Sequence, residues 1–162
     1  MMLIYHGSTE KVEHPEIRQE VAFHDFGRGF YTTSSYEQAK RWALIKMRRE
    51  STDIGFVSVY EFDFERALKE RRVKKFENAD MEWLDFVVGN RTGSASTEAY
   101  DMTIGPVADD KVYQSIKLFE TGFLDAEETL KRLETEVLHD QWTFHTTEML
   151  KYCRFVKADN IS

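Results

Sequence analysis

Apolar residues fall in two rhythms along this chain. From Phe56 to Phe64 they alternate, with Val57 and Val59 on one face and Phe56, Tyr60, Phe62 and Phe64 on the other. Both faces carry bulk, which predicts a strand covered on both sides at the centre of a sheet. The same period of two marks Tyr100–Ile104 and Gln141–Thr146; the latter puts Gln141, Thr143 and His145 on one face and Trp142 and Phe144 on the other. Shorter apolar runs predict strands at Met2–Tyr5, ended by His6-Gly7-Ser8, at Gly29–Thr33, at Val73–Phe76 and near Phe155 and Val156.

A helical rhythm takes over between these strands. Ala39, Trp42, Ala43 and Met47 form a stripe that predicts a helix from Ser35 to Arg49, opened by a capping box of Ser34 and Glu37. Met81, Leu84, Val87 and Val88 do the same for Asp80–Asn90, and Val112, Ile116 and Phe119 for Ala108–Glu120, which Gly122 closes. Asp125 and Glu128 cap a further long helix carrying Leu130, Leu133 and Val137. Short helices are expected at Glu65–Arg71 and Thr147–Lys151, and a polar loop at Asn90–Thr97. Strands and helices mix without βαβ alternation, and no GxGxxG opens a helix, so the expected class is α+β, with a Rossmann fold disfavoured.

The 162 residues suit a single domain, 1–162, with 41% hydrophobic and 31% charged residues. The net charge of −7 gives no electrostatic support for broad nucleic-acid affinity. A basic run of Arg66, Lys69, Arg71, Arg72, Lys74 and Lys75 opposes the global sign and reads first as a solvated helix end. The single cysteine, Cys153, forms no intrachain disulfide and sits in an apolar setting, as a small buried hydrophobe does. The N-terminus lacks the pattern of a signal peptide, and no apolar run reaches bilayer-spanning length. The expected location is the cytoplasm, without membrane partners. No Cys/His spacing suggests zinc, so no metal is expected.

The candidate chemistry gathers around Asp25-Phe26-Gly27-Arg28-Gly29-Phe30-Tyr31-Thr32-Thr33. Two glycines admit a tight turn, and a rigid aromatic follows directly. Each residue has an ordinary reading: His6 as a turn histidine, Tyr31 as a half-buried strand tyrosine, Trp42 as core, Gln141 as a surface amide, and Asp101, Asp109 and Asp110 as caps or solvated charges.

In combination they carry a resemblance. Tyr5-His6-Gly7-Ser8, then the Phe26–Thr33 segment, then Trp42 eleven residues after Tyr31, resemble the nicotinamide pocket of ADP-ribosyltransferases of the poly(ADP-ribose) polymerase and diphtheria-toxin-like class. Over its full length, including Tyr100-Asp101 and Gly105–Asp110, the chain also resembles a family of small bacterial proteins placed in that superfamily. The resemblance implies a split antiparallel sheet with peripheral helices and NAD as substrate. It implies that Tyr31 and Trp42 sandwich the nicotinamide, Gly7 fixes its amide, and His6 and Gln141 hold the ribose hydroxyls. Ser8, Gly29 and Thr32 belong to the same pocket, and the charge and position of Arg28 point to the pyrophosphate as its expected contact. His6, Tyr31 and Gln141 are then the catalytic set, with glutamine where the class often has glutamate. A neutral side chain keeps the hydrogen bond and loses the charge, so a different acid, such as Asp101 or Asp109, is a candidate to supply it. Transfer to a protein or nucleic-acid acceptor, hydrolysis of NAD, and NAD or ADP-ribose binding without turnover all follow as alternatives. Deployment as a toxin or effector would add a neutralising antitoxin partner.

Overall fold

The structure, a computed structural model, describes residues 1–18, 25–91, 100–108, 110–134 and 139–161. Among the described residues two sheets and six helices make a mixed α+β fold. The first sheet holds β1 (Met2–Ser8), β3 (Phe56–Phe62) and β7 (Cys153–Asn160) in the order β1-β3-β7, all antiparallel. The second holds β2 (Phe30–Thr32), β4 (Val73–Lys75), β5 (Met102–Pro106) and β6 (Asp140–Phe144) in the order β2-β6-β5-β4. The expected all-antiparallel arrangement fails at one pair, because β4 runs parallel to β5. The chain between them contains α3 (Met81–Arg91), and that crossover allows a parallel return.

The expected central strand is β3, with β1 and β7 on either side of it. It stops at Phe62 because Asp63 turns out of the strand to cap α2 (Phe64–Glu70), its carboxylate accepting from Arg66 N. Side-chain parity sorts the layers. Val57 and Val59 pack with Ala39, Ala43 and Met47 of α1 (Tyr36–Arg49). Ile4, Tyr60 and Phe62 turn the other way and meet Phe30, Met102, Ile104, Trp142 and Phe144 of the second sheet, together with Met149 and Leu150 of α6 (Thr147–Leu150). Beyond the second sheet, Phe26 and Phe76 pack with α3, α4 (Asp110–Glu120) and α5 (Ala126–Glu134) through Trp83, Leu84, Val87, Val112, Ile116 and Leu133. The order is therefore helix, sheet, core, sheet, helices.

The predicted start of α1 moves by one residue. Ser35, not Ser34, caps it by accepting from Gln38 N at 3.2 Å. Ser34 is held instead by the Asp140 carboxylate, which accepts from its N–H at 2.9 Å and from its hydroxyl at 2.5 Å. That contact ties the entry of α1 to the head of β6. Strand β1 runs on through His6 and Gly7 to Ser8, where the sequence reads as a break. The expected loop beyond Arg91, and Asp109 and Val137, lie outside the described residues.

Among the described residues one backbone bridge joins the edges of the two sheets. Tyr5 and Thr33 exchange backbone hydrogen bonds of 2.9 Å in each direction. Past this bridge β1 and β2 diverge and a gap opens between them.

Candidate functional site

Strand parity gives the gap its chemistry. Tyr5 aims its amide and carbonyl at Thr33, so Ile4, His6 and Ser8 are the β1 residues that bond β3. Gly7, two residues beyond Tyr5, points its amide and carbonyl to the same edge as Tyr5, where no partner meets them among the described residues. Its missing side chain is also a packing requirement: a Cβ there would lie 1.8 Å from the Ala39 carbonyl oxygen and 2.9 Å from the Ala43 nitrogen of α1.

His6 closes the gap from the opposite face. Its Nδ1–H donates to the Tyr31 carbonyl at 2.7 Å, and its ring stacks on Phe30 with centroids 4.3 Å apart. A carbonyl only accepts, so the tautomer is set and Nε2 is left as an acceptor. Burial pushes the imidazole down from 6.5 to about 4; the Tyr31 carbonyl opposes this and the nearby Lys46 and Arg18 charges reinforce it. At neutral pH His6 is therefore an uncharged acceptor, suited to a ligand hydroxyl.

The sign of this shift predicts acid sensitivity. The unfolded imidazole takes a proton near pH 6.5 and the folded one near 4, so the contribution to stability is complete above pH 6.5 and is lost as the pH falls through that window. Between pH 7 and 4.5 it is worth about 2 kcal/mol. Urea denaturation of the wild type and His6→Asn at the two pH values is expected to show a loss smaller by about that amount in the variant. Equal losses would mean that His6 is not held neutral.

Around His6 lies a polar cavity of about 240 Å³ lined by His6, Ser8, Arg28, Gly29 and Tyr31 from the sequence-derived set. Phe30 and Lys46 complete that wall, and Val12, His14, Glu16 and Arg18 close it from the segment after β1. This segment is strapped to the first sheet at Val12, whose N–H donates to Ser58 Oγ at 3.1 Å and whose carbonyl accepts from Tyr60 OH at 2.5 Å. Lys46 Nζ reaches Ser8 Oγ at 3.4 Å, and Arg18 pairs with Glu10 at 3.1 Å. His14, Glu16, Arg18 and Lys46 escaped the sequence reading. The strap has no periodicity, and Lys46 reads as an ordinary exposed helix lysine until its position one turn past Trp42 is noticed.

The turn beside the cavity is built by side chains behind it. Gly27 has φ +81°, the left-handed region that favours glycine. Tyr31 OH donates to its carbonyl at 2.5 Å and accepts from Phe26 N at 3.1 Å. Burial, and then the nearby Asp25 charge, push the Tyr31 phenol well above its usual range, so it stays protonated and keeps donating. His145 Nδ1–H donates to the Arg28 carbonyl at 2.7 Å, and its Nε2 accepts from Thr103 Oγ1 at 2.8 Å. His145, which the alternation puts on the face of Gln141, thus clamps the turn.

Gln141 stands elsewhere. It shares a face of the second sheet with Thr143, which pairs with Tyr31, whereas His6 packs on Phe30 of the opposite face. It is 3% exposed, and its Nε2 donates to the Pro106 carbonyl at 3.3 Å. Its side chain also hydrogen-bonds the buried Asp25 carboxylate, whose pKa burial raises. Gln141 does not line the cavity, and neither does Thr32, which is buried with its hydroxyl on the Trp142 carbonyl at 2.7 Å. Trp42 is half-buried on α1, beside Ala43. Asp101 is taken up by Arg72 N at 3.0 Å and Thr146 Oγ1 at 2.9 Å. Glu16 is the carboxylate that the cavity wall does contain. Among the described residues no cluster of three or more His, Cys, Asp or Glu is placed to hold a metal ion, and no helix is long and apolar enough to cross a membrane.

No curated protein matches this chain. Residues 2–155 match the family described as "Protein of unknown function (DUF3990)", and the chain belongs to that family.

Proposed function

We propose that the protein is an NAD-dependent ADP-ribosyltransferase, with its paired sheets forming the split sheet of that class and the Gly7–Tyr31 gap receiving nicotinamide. The reading is carried by one observation: His6, Ser8, Arg28, Gly29 and Tyr31, drawn from two separate stretches of chain, converge on one polar cavity. Arg18, Arg28 and Lys46 bring positive charge to that cavity in a chain of net charge −7, which favours the diphosphate of a dinucleotide.

In this reading the free Gly7 edge pairs with the carboxamide and Trp42 flanks the ring, while Tyr31 holds the glycine turn beside it through its hydroxyl. His6 Nε2 accepts from a ribose hydroxyl. The glycosidic C–N bond breaks with its electron pair going to the ring nitrogen, so nicotinamide leaves neutral and positive charge develops on the ribose. A nucleophile on a protein or nucleic-acid acceptor then bonds the same carbon and gives up its proton. Glu16, rather than Gln141, is the carboxylate available to stabilise the developing charge. A toxin or effector role, with an antitoxin that covers the cavity, fits such chemistry.

Incubation with NAD labelled in the adenosine half, with and without cell lysate, tests this. Label transfer together with nicotinamide release is expected, and Glu16→Gln is expected to lower the release rate about tenfold or more. Free ADP-ribose without acceptor labelling would assign hydrolysis instead, and the absence of both transfer and release would overturn the enzymatic reading. The burial of Gln141 away from the cavity favours, as the second reading, a module that binds NAD or ADP-ribose without turnover. Calorimetric NAD binding with no nicotinamide release would establish it.

A further inference from the structure

Ser8 ends β1 on the strand face that carries His6, and it is 2% exposed. Its Oγ accepts from Glu10 N at 3.3 Å and from Lys46 Nζ at 3.4 Å. A hydroxyl has two lone pairs and one proton, so both acceptor positions are filled and the O–H remains to donate. No acceptor meets that proton among the described residues. Ser8 lines the cavity, so the partner for its O–H lies there.

Lys46 brings an ammonium to the same wall. Ala43 and Met47 seat α1 in the core and fix the backbone beneath it. Arg48 and Arg49, in the same last turn, are exposed, whereas Lys46 is half-buried and reaches Ser8. No carboxylate pairs with Lys46 among the described residues, while Arg18 is paired with Glu10. Burial is the main cause of the low His6 pKa, and the Lys46 charge adds to it. An ammonium and a hydroxyl that both donate into one place are best met by an anionic oxygen.

Strand spacing says what else the ligand carries. His6 and Ser8, two residues apart on one face, set their side chains about 7 Å apart. His6 Nε2 accepts from a hydroxyl, and Ser8 with Lys46 donates to an anion. A ribose phosphate carries both groups on one small frame.

We infer that Ser8 and Lys46 form a phosphate subsite, and that the cavity takes a ribose phosphate whose hydroxyl bonds His6 and whose phosphate oxygen accepts from Ser8 Oγ–H and Lys46 Nζ. The inference rests on the dinucleotide reading for the identity of the ligand and adds to it the pair that holds one phosphate.

Calorimetry with ADP-ribose and with nicotinamide, on the wild type, Lys46→Met and Ser8→Ala, tests this. The wild type is expected to bind both compounds. Lys46→Met is expected to raise the ADP-ribose Kd about tenfold or more and Ser8→Ala about fivefold, the loss of hydrogen bonds to a charged group. Nicotinamide has no phosphate and is expected to bind Lys46→Met within about twofold of the wild type. If Ser8→Ala does not fold, Ser8→Cys, with a weak donor in place of the hydroxyl, carries the same comparison. ADP-ribose binding within about twofold of the wild type in either variant overturns this inference alone. So does an equal loss of nicotinamide binding in Lys46→Met, which would mean that Lys46 shapes the cavity and holds no anion. A wild type that binds nicotinamide but not ADP-ribose has the same result. ADP-ribose binding that depends on Lys46, without nicotinamide binding, keeps the phosphate subsite and overturns the nicotinamide reading. A wild type that binds neither compound overturns both.

Discussion

Gly7→Ala is expected to destabilise the protein by about 3 kcal/mol or more, a loss read directly from urea denaturation. The added Cβ would stand 1.8 Å from the Ala39 carbonyl oxygen and 2.9 Å from the Ala43 nitrogen. Both are backbone atoms, so no rotamer change relieves the clash, and α1 must lift from β1. Lifting it opens the packing of Ala39, Ala43 and Met47 on Val57 and Val59. A variant within about 1 kcal/mol of the wild type would mean that α1 is not seated on this strand. The same geometry bears on how activity data should be read. Gly7 is needed for packing whether or not its edge binds a ligand, so loss of activity in Gly7→Ala is no proof of a binding role.

Gln141→Glu is expected to weaken the fold and to leave NAD turnover no higher. On the resemblance alone, restoring the glutamate often found at this position should raise activity. The surroundings argue otherwise. Gln141 donates from Nε2 to the Pro106 carbonyl and hydrogen-bonds Asp25, all in a site that is 3% exposed. Glutamate replaces the donor with a second acceptor and sets two carboxyl groups together where burial already raises the pKa of one. Leaving that charge uncompensated costs on the order of 3 kcal/mol at pH 7. The introduced carboxyl would have a folded pKa above its unfolded value, so the deficit should shrink as the pH falls toward 4.5, where it takes up a proton in both states. Urea denaturation at pH 7 and pH 5 reads this trend. Full stability at pH 7 with faster nicotinamide release would mean that position 141 reaches the ligand and that Gln141 is the third member of the site.

Much of the secondary structure was legible because it follows from local periodicity. The alternation in Phe56–Phe62 and the parity of Gln141 and Thr143 against Trp142 and Phe144 survive unchanged in β3 and β6. Most of the stripes of α1, α3 and α4 face the cores expected of them, except that Met81 is exposed, Trp83 is buried in its stead and Trp42 stands outside the α1 core; Gly122 closes α4 in the left-handed region at φ +82°. The pairing of His6 with the Tyr31 segment, suggested by resemblance, appears as a 2.7 Å hydrogen bond and a shared cavity. Other features have no local signal. The glycine in His6-Gly7-Ser8 reads as a break, yet β1 continues through it because α1 requires the close approach. The strap from Val12 to Arg18 owes its place to Ser58 and Tyr60, more than forty residues away in the chain.

Side-chain parity along a strand is set by the backbone and can be read from a few neighbouring residues, as can an amphipathic helix and its caps. Thus local pattern specified an α+β protein, while the meeting of the two stretches around His6 and Tyr31 was implied by the resemblance. Parity does not say which face of a sheet becomes a cavity, because that depends on which strand edges touch. Here the bridge between Tyr5 and Thr33 makes that choice. It opens the gap beyond Gly7 and sets His6, Lys46 and Glu16 around the cavity. Gln141, on the other face of the second sheet, is left in the packing against Asp25 and Pro106.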